Sequence, residues 1–234
     1  MTDPRFDLGL YAIPEVARLV RVPPGTLRNW VVGYRYPRED GSAKAMPVIK
    51  PTVAGGATAL SFVNLVEALT LAGFREMGVP LQRVRRALDY ATGESHAKHL
   101  LASERLLSDG LDLFWEFQER TSEPHLVNMS RGGQKVFPEA VRRYLREVEW
   151  GRDSFASRWW PGSLSAKQGP IVVDPRRAFG APVLAGTGIR TEDLFARFSA
   201  GDTIAGLGED YGLTTSQVES AIRLEASLLE RAAA

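Results

Sequence analysis

The Pro23-Pro24 pair limits the first part of the chain more than any other feature. A helix that reaches these prolines must end there, whereas a proline suits the first turn of a new helix. The segments on both sides show apolar residues at helical spacing, and the second places Leu27, Trp30 and Val31 on one face. Residues 11–32 are therefore predicted to form two short helices joined by a tight turn.

The second predicted helix carries polar residues opposite its apolar face. Thr26, Arg28 and Asn29 occupy that face, and Arg21 lies in the turn before it. Arginine can bind guanine or a phosphate, and asparagine can bind adenine, so this composition suits a helix that reads the major groove. An ordinary helical hairpin is the alternative, because two short helices are common. The pattern favours a helix-turn-helix with these four residues at the DNA.

A Gly- and Lys-bearing stretch follows, and residues 34–56 are predicted to form one long wing hairpin. Arg35, Lys44 and Lys50 in this stretch are candidates for contacts to DNA phosphates. Ser61 is suited to cap the next helix, and one more helix follows that one. The order of elements is typical of a winged helix.

Composition excludes several classes of protein. The sequence has no cysteine, which excludes disulfides, thiolate zinc sites and cysteine nucleophiles, and its three histidines lack the spacing of a zinc site. No apolar run approaches about 18 residues, and the first residues lack the apolar core of a signal peptide. We therefore expect a cytoplasmic protein without a membrane span. No catalytic motif stands out, so neither an enzyme nor a cofactor is expected.

The formal net charge of +1 hides an uneven distribution. Residues 1–94 hold 12 Lys and Arg against 9 Asp and Glu, whereas residues 171–234 hold 6 against 9. A basic face at one end of the chain and an acidic domain at the other predict two different partners.

The middle of the chain, residues 95–149, is predicted to form a small α+β domain. Alternating apolar residues and turn signals favour hairpins near residues 111–115 and 125–137, and a helix is predicted to start at Pro138.

Residues 150–170 contain three Trp among Gly, Ser and Pro, and we predict an ordered linker there. Trp159 and Trp160 are adjacent and cannot both face one helical core, so we expect one of them at the surface. Arg152 and Arg158 accompany them, and Trp and Arg are the residues that dominate interface energetics. Packing of both rings inside the same chain is the alternative.

The last part of the chain is predicted to form a short strand and three helices. Thr191 and Asp202 are the predicted caps of the first two helices, and Thr214–Gln217 is a capping box for the third. Phe198 is expected to point inward. The outline is a second helix-turn-helix, but residues 191–234 carry three Arg against eight acids, so we expect that it does not bind DNA.

Two parts of the sequence resemble known families. The strings TLRNW, LSFVNLVEAL and FREMGVPLQRVRRAL within residues 1–94 resemble the MerR-type winged helix. The last domain resembles a small domain of VapB-type antitoxins over residues 171–228. The residues that carry this second resemblance are Gly180, Pro182, Gly186, Thr187, Ile189, Asp210, Tyr211, Leu213 and Thr214.

The VapB resemblance implies a type II toxin–antitoxin module. In such a module the protein binds and neutralises a PIN-like ribonuclease toxin and represses its own operon, as a homodimer or as a hetero-oligomer with the toxin. The toxin site holds Mg²⁺ with acidic residues, which arginine can block, so we expect Arg152, Arg158, Trp159 and Trp160 to contact it. The alternative is a stand-alone MerR-like regulator that responds to a small ligand in the middle domain.

The expected fold is therefore α+β and predominantly helical. It comprises a winged helix at 1–94, a middle domain at 95–149, a Trp-rich ordered linker at 150–170 and a three-helix domain at 171–234.

Overall fold

The computed structural model describes residues 3–38, 41–54, 57–76, 78–95, 99–106, 144–162 and 169–230. Its helices are α1 (Ile13–Leu19), α2 (Pro24–Val32), α3 (Phe62–Glu76), α4 (Leu81–Ser95), α5 (Thr191–Ser199), α6 (Ile204–Tyr211) and α7 (Thr215–Glu230). Its strands are β1 (Tyr34–Arg38), β2 (Gly41–Ala45), β3 (Thr52–Ala54), β4 (Ala57–Ala59), β5 (Val148–Trp150), β6 (Ala156–Trp159), β7 (Ile171–Val173) and β8 (Pro182–Leu184). The fold is α+β and predominantly helical, as predicted.

Helices α1 and α2 form the predicted helix-turn-helix. The turn between them holds Arg21 in a left-handed conformation, with φ of 61°, and α2 begins at Pro24. Leu27, Trp30 and Val31 are buried, as their spacing predicts. The apolar side of α2 is therefore fixed in the core, and its other side is left to solvent.

Helix α3 lies at the centre of the N-terminal core, because every residue from Phe62 to Phe74 is buried. The cap predicted at Ser61 is confirmed. The Asn64 amide donates to the Ser61 hydroxyl (3.2 Å), and the Ser61 amide donates to the Asn64 side-chain oxygen (3.1 Å). The Asn64 side chain also donates to the Lys50 carbonyl (3.1 Å), which ties the wing region to α3.

The wing differs from the single long hairpin that we predicted. Strands β1 and β2 form one antiparallel hairpin, and β3 and β4 form a second. The chain between them returns to the core, where Ile49 is fully buried, and the amides of Val48 and Ile49 donate to the Trp30 carbonyl (2.8 and 3.1 Å). Burial of one apolar side chain thus divides the stretch into two hairpins.

Strands β5 to β8 form one antiparallel sheet in sequence order. Trp159 of β6 pairs with Val173 of β7, so residues on both sides of the predicted boundary at 170 share this sheet. The part of 150–170 that the structure describes is ordered, as expected, but it contributes strands rather than a connecting segment alone.

The start of α5 corrects two expectations. Thr191 does not cap the helix: it is buried, and its hydroxyl donates to Glu225 of α7 (2.5 Å). Phe198 does not point into the core, because 37% of it is exposed. A contact with a residue far along the chain therefore replaces the local cap.

Helix α6 is capped by Thr203, whose hydroxyl accepts from the third residue of the helix (3.1 Å), and not by Asp202. Asp202 instead accepts from Arg197 (2.6 Å). The capping box of α7 is confirmed, since the Thr214 and Gln217 backbone amides donate to each other's side chains (2.9 and 3.3 Å).

The C-terminal domain packs against the helix-turn-helix. The Tyr11 hydroxyl donates to the Gly180 carbonyl (2.9 Å), and burial raises the pKa of this hydroxyl, which keeps it protonated as a donor. Arg18 of α1 lies 3.5 Å from Glu225 of α7. Leu228 of α7 belongs to the same buried cluster as the residues of α1.

Some predictions fall outside the described residues, namely the hairpins near 111–115 and 125–137 and the start of the helix at Pro138. That predicted helix ends earlier than expected, because Val148 already belongs to strand β5. Within the residues that are described, no helix is both long and apolar enough to cross a membrane. The same residues contain no group of three His, Asp or Glu that could hold a metal ion.

Candidate nucleic-acid interface

The outer face of α2 is the first part of the candidate interface. Arg28 and Asn29 are exposed, and Thr26 is half-buried. Because the buried residues of the same helix anchor its other side, these polar groups project from a rigid element. A helix of this kind can place an arginine and an asparagine against base edges.

The β1–β2 hairpin supplies the second part. Arg35 and Lys44 are paired directly opposite each other in the register and are both exposed. Two like charges in this arrangement destabilise a sheet by about 0.2–1 kcal/mol. An anion placed beside them would relieve that repulsion, so the pair is suited to a DNA phosphate.

Gly33 sets the position of this hairpin relative to α2. Its φ of 78° is left-handed, and a Cβ there would collide with the carbonyl oxygen of Ala45. Only glycine therefore allows β2 to lie this close to the end of α2. Helix α2 and the β1–β2 hairpin are consequently held as one unit.

Arg85 of α4 supports the wing and is not among the predicted site residues. Its guanidinium lies over the Tyr34 ring, 5.9 Å from the ring centroid, and the Tyr34 and Tyr36 rings are 6.0 Å apart. The Nε and Nη2 atoms of Arg85 are buried without a hydrogen-bond partner among the described residues. The sequence signal for this role is the cluster of Arg83, Arg85 and Arg86 in α4.

The predicted cations of this region are all available to a ligand. Each is exposed and forms no ion pair or side-chain hydrogen bond with any other residue that the structure describes. They are Arg21, Arg28, Arg35, Lys44 and Lys50. Arg21 also lines a cleft of about 600 Å³ between the turn, α3 and α7. The DNA-contacting role of each residue remains a prediction.

The C-terminal helices present the opposite arrangement. Arg190 pairs with the Glu192 carboxylate, and Arg223 pairs with Glu219 (2.6 Å). The Arg197 guanidinium lies 2.6 Å from the carboxylates of Asp202 and Asp210. Its hydrogen bonds raise the pKa of the guanidinium, and the bond to Asp210 has the largest effect. The cations of α5 and α7 that the structure describes are therefore already neutralised.

The Trp-rich segment does not form the exposed patch that we expected. Trp159 is 3% exposed and Trp160 is 9% exposed, because β6 lies inside the sheet and both rings pack against other parts of the chain. The Trp159 indole donates to Glu147 (2.9 Å). The expectation of a surface Trp is therefore wrong, and neither ring offers an open face to a toxin.

The two arginines of this segment differ from each other. Arg158 donates to Asp174 (2.9 Å) and to Glu149 (3.3 Å). Burial acts to raise the pKa of the Asp174 carboxyl, but hydrogen bonds from Arg176 and Arg158 outweigh it and hold that pKa below its usual value. Arg152 is exposed and has no partner among the described residues. Of the four predicted toxin contacts, only Arg152 has a free side chain.

Comparison with known proteins agrees with this two-part organisation. Residues 9–88 match a family described as "Putative DNA-binding HTH domain", and residues 171–223 match a protein family of unknown function, DUF433. The chain is also similar to a crystal structure of Rv2018 from Mycobacterium tuberculosis. The two share 32% identity with a TM-score of 0.70, over 93% of this chain and 99% of that one.

Two relatives from the same organism match along nearly the whole chain. An uncharacterised protein, Rv2308, is 28% identical over 222 residues, which is 93% of this chain and 90% of the relative. "Putative antitoxin VapB45" is 36% identical over 228 residues, which is 93% of this chain and 94% of the relative. With a DNA-binding helix-turn-helix domain at one end and this full-length similarity, the chain belongs to the family of VapB-type antitoxins.

Proposed function

We propose that this protein neutralises a PIN-like ribonuclease toxin by direct binding and represses its own operon by binding operator DNA. The DNA part depends on one observation, the set of exposed and unpaired cations on α2, its preceding turn and the wing region. The toxin part depends on the similarity to a named antitoxin over nearly the whole chain.

In the proposed complex α2 lies in the major groove. Arg28 binds guanine or a phosphate, and Asn29 binds adenine. Arg35 and Lys44 bind the phosphate backbone beside the groove, where each contact releases counterions and makes the affinity depend on salt. Lys50 lies on the segment that is tied to α3, so it can add a phosphate contact from a fixed backbone.

Dimeric helix-turn-helix proteins bind two half-sites with one recognition helix each. We therefore propose a homodimer, or a hetero-oligomer bridged by the toxin, that binds two half-sites about 34–36 Å apart. Light scattering combined with footprinting tests this proposal. One protein copy protecting a single half-site would contradict it.

The DNA part is tested with a fluorescent duplex from the region upstream of the protein's own gene. We expect specific binding with an affinity that falls steeply between low and moderate salt. A random duplex of equal length is the control. Equal affinity for both duplexes at all salt concentrations would contradict operator recognition.

The toxin part is tested by co-expression with the product of the adjacent open reading frame. We expect that this product arrests growth when it is expressed alone, that the present protein restores growth, and that the two proteins purify together. The purified toxin should cleave RNA, and addition of this protein should stop the cleavage. Continued cleavage at a stoichiometric excess of this protein would contradict neutralisation.

A further inference from the structure

One aromatic side chain of the C-terminal domain stands out because almost nothing covers it. Phe179 is 86% exposed, whereas the other large apolar residues of this domain are far more covered where the structure describes them. It lies in the loop of residues 174–181, which joins β7 to β8. A single exposed apolar residue is common. A functional role for Phe179 therefore needs further evidence from the conformation and charge of the loop.

The loop holds Phe179 in a costly conformation. Ala178 and Phe179 are both left-handed, with φ of 44° and 53°, a region that residues with a side chain avoid. The surrounding structure maintains it, since the Gly180 amide donates to the Arg177 carbonyl (2.8 Å) and the Tyr11 hydroxyl donates to the Gly180 carbonyl (2.9 Å). A strained loop that is fixed at its base and presents a bare ring is typical of a functional site.

The loop carries an arginine that has no carboxylate partner among the described residues. Arg177 is exposed, and its side chain donates only to the Thr187 carbonyl (3.4 Å), so no described carboxylate neutralises it. Arg176 of the same loop is paired with Asp174 (2.8 Å). It lines a neighbouring cleft of about 310 Å³ together with Arg152, Asp3 and Asp153. Arg152 has no partner among the described residues. The partner of this surface should therefore be acidic.

A nucleic acid is disfavoured at this position. A duplex carries phosphate charge along its whole length, so it would also meet the C-terminal helices, which carry three Arg against eight acids. An acidic patch on a protein can be confined to the arginines of the loop surface. The unpaired cations that suit DNA lie on α2 and on the wing instead. An acidic protein surface with an apolar pocket fits both the ring and the arginines.

We propose that the loop of residues 174–181 binds the toxin, with Phe179 inserted in an apolar pocket and Arg177 and Arg152 paired with acidic residues at the pocket rim. This inference rests on the proposed function and assigns a surface to it. The neighbouring cleft lined by Arg152 and Arg176 extends the same surface.

The test uses the full chain and the purified toxin from the adjacent reading frame, with affinity measured by calorimetry. Phe179→Gly removes the ring and suits the left-handed backbone, so the melting temperature should stay unchanged or rise. Toxin affinity should fall at least tenfold. Phe198→Ala is the matched control, since Phe198 is a partly exposed aromatic residue of the same domain, and it should leave toxin affinity unchanged.

A second pair of variants tests the charge. Arg177→Glu should weaken toxin binding at least tenfold, and Arg223→Glu on the exposed side of α7 should leave it unchanged. Unchanged toxin affinity in Phe179→Gly would overturn the assignment while leaving the proposed function intact. Loss of operator affinity with normal toxin binding would identify the ring as a DNA wedge and also overturn it. If the wild-type chain does not bind the toxin, the proposed function fails and the inference fails with it.

Discussion

The chain contains two helix-turn-helix outlines, and they differ in whether their cations are paired with carboxylates. On α2 and the wing, Arg28, Arg35 and Lys44 are exposed and have no partner among the described residues. In the C-terminal domain, Arg197 and Arg223 are each bound to carboxylates. The outline of a helix-turn-helix therefore does not identify a DNA-binding surface. The availability of its cations is the better guide, because only an unpaired cation can replace the counterions of a phosphate.

The pairing in the C-terminal domain is dense. Besides its two carboxylates, the Arg197 guanidinium lies 5.4 Å from the centre of the Tyr211 ring. A duplex would have to compete with all three groups for one cation. Substitutions in the two regions test this difference, and the buried core that both regions share should show the largest effect.

The largest effect is expected from Trp159→Ala, which removes a buried ring from the sheet strand that pairs with β7. Deletion of a buried aromatic costs about 3–5 kcal/mol, so the free energy of unfolding should fall by that amount in denaturant titrations. Both regions should unfold in one transition, because Trp159 and Leu228 belong to the same buried cluster as Leu19 of α1. If two separate transitions appeared in the wild-type chain, the two regions would be independent bodies.

Arg28→Ala should weaken operator binding by about 1–3 kcal/mol if Arg28 makes a bidentate base contact. The matched control is Arg223→Ala, an exposed arginine that is already paired on the other helix-turn-helix, and it should leave operator affinity unchanged. Anisotropy titrations measure both variants. Equal losses of operator affinity in the two variants would show that the two regions do not differ in DNA binding.

Asp174→Asn tests the pairing of the cations near the sheet. This buried carboxylate accepts hydrogen bonds from Arg158 and Arg176. Its loss should lower stability by about 1 kcal/mol, because hydrogen bonds to charged groups are strong but both arginines are partly exposed to screening solvent. Chemical denaturation at neutral pH measures the difference.

The same carboxylate predicts a pH dependence. Its pKa in the folded chain lies below the ordinary value of 3.8, so its contribution to stability is complete above the unfolded pKa. That contribution is lost as the pH falls through the folded pKa. The stability difference between wild type and Asp174→Asn should therefore shrink on acidification. A difference that grows as the pH falls would contradict this assignment.

The smallest effect is expected from Lys44→Ala, which removes one half of the like-charge pair on the wing. Stability of the free protein should rise by about 0.2–1 kcal/mol. The slope of log affinity for DNA against log salt should decrease by about 0.9, the value for one phosphate contact. A destabilised variant with an unchanged salt slope would show that Lys44 of the wing does not contact DNA.

Local patterns predicted much of the fold and of the candidate interface. Periodicity identified the buried side of α2, and capping residues identified the starts of α3 and α7, because these signals act within a few residues. The sequence could not show that Ile49 returns to the core and divides the wing, or that Thr191 contacts Glu225 across the domain. Such contacts depend on how distant segments pack, and local propensity carries no information about them.

The same limit explains the errors at the candidate site. A Trp-Trp pair next to arginines has the composition of an interface, but strand pairing of Trp159 and the packing of each ring in a buried cluster place both rings inside. Local patterns cannot assign Arg85 to the wing, because only the folded chain brings α4 to the Tyr34 ring. The exposure of Phe179 also depends on the folded chain, because it follows from the left-handed conformation of the loop and not from a local apolar pattern.

The position of Leu228 has a consequence for synthesis of the protein. This residue of α7 lies in the same buried cluster as Leu19 of the helix-turn-helix. A ribosome that adds about 5–20 residues per second needs roughly 10–40 s to make the chain between them. During that interval the nascent helix-turn-helix lacks Leu228, so this part of its buried cluster is completed only after α7 has been made.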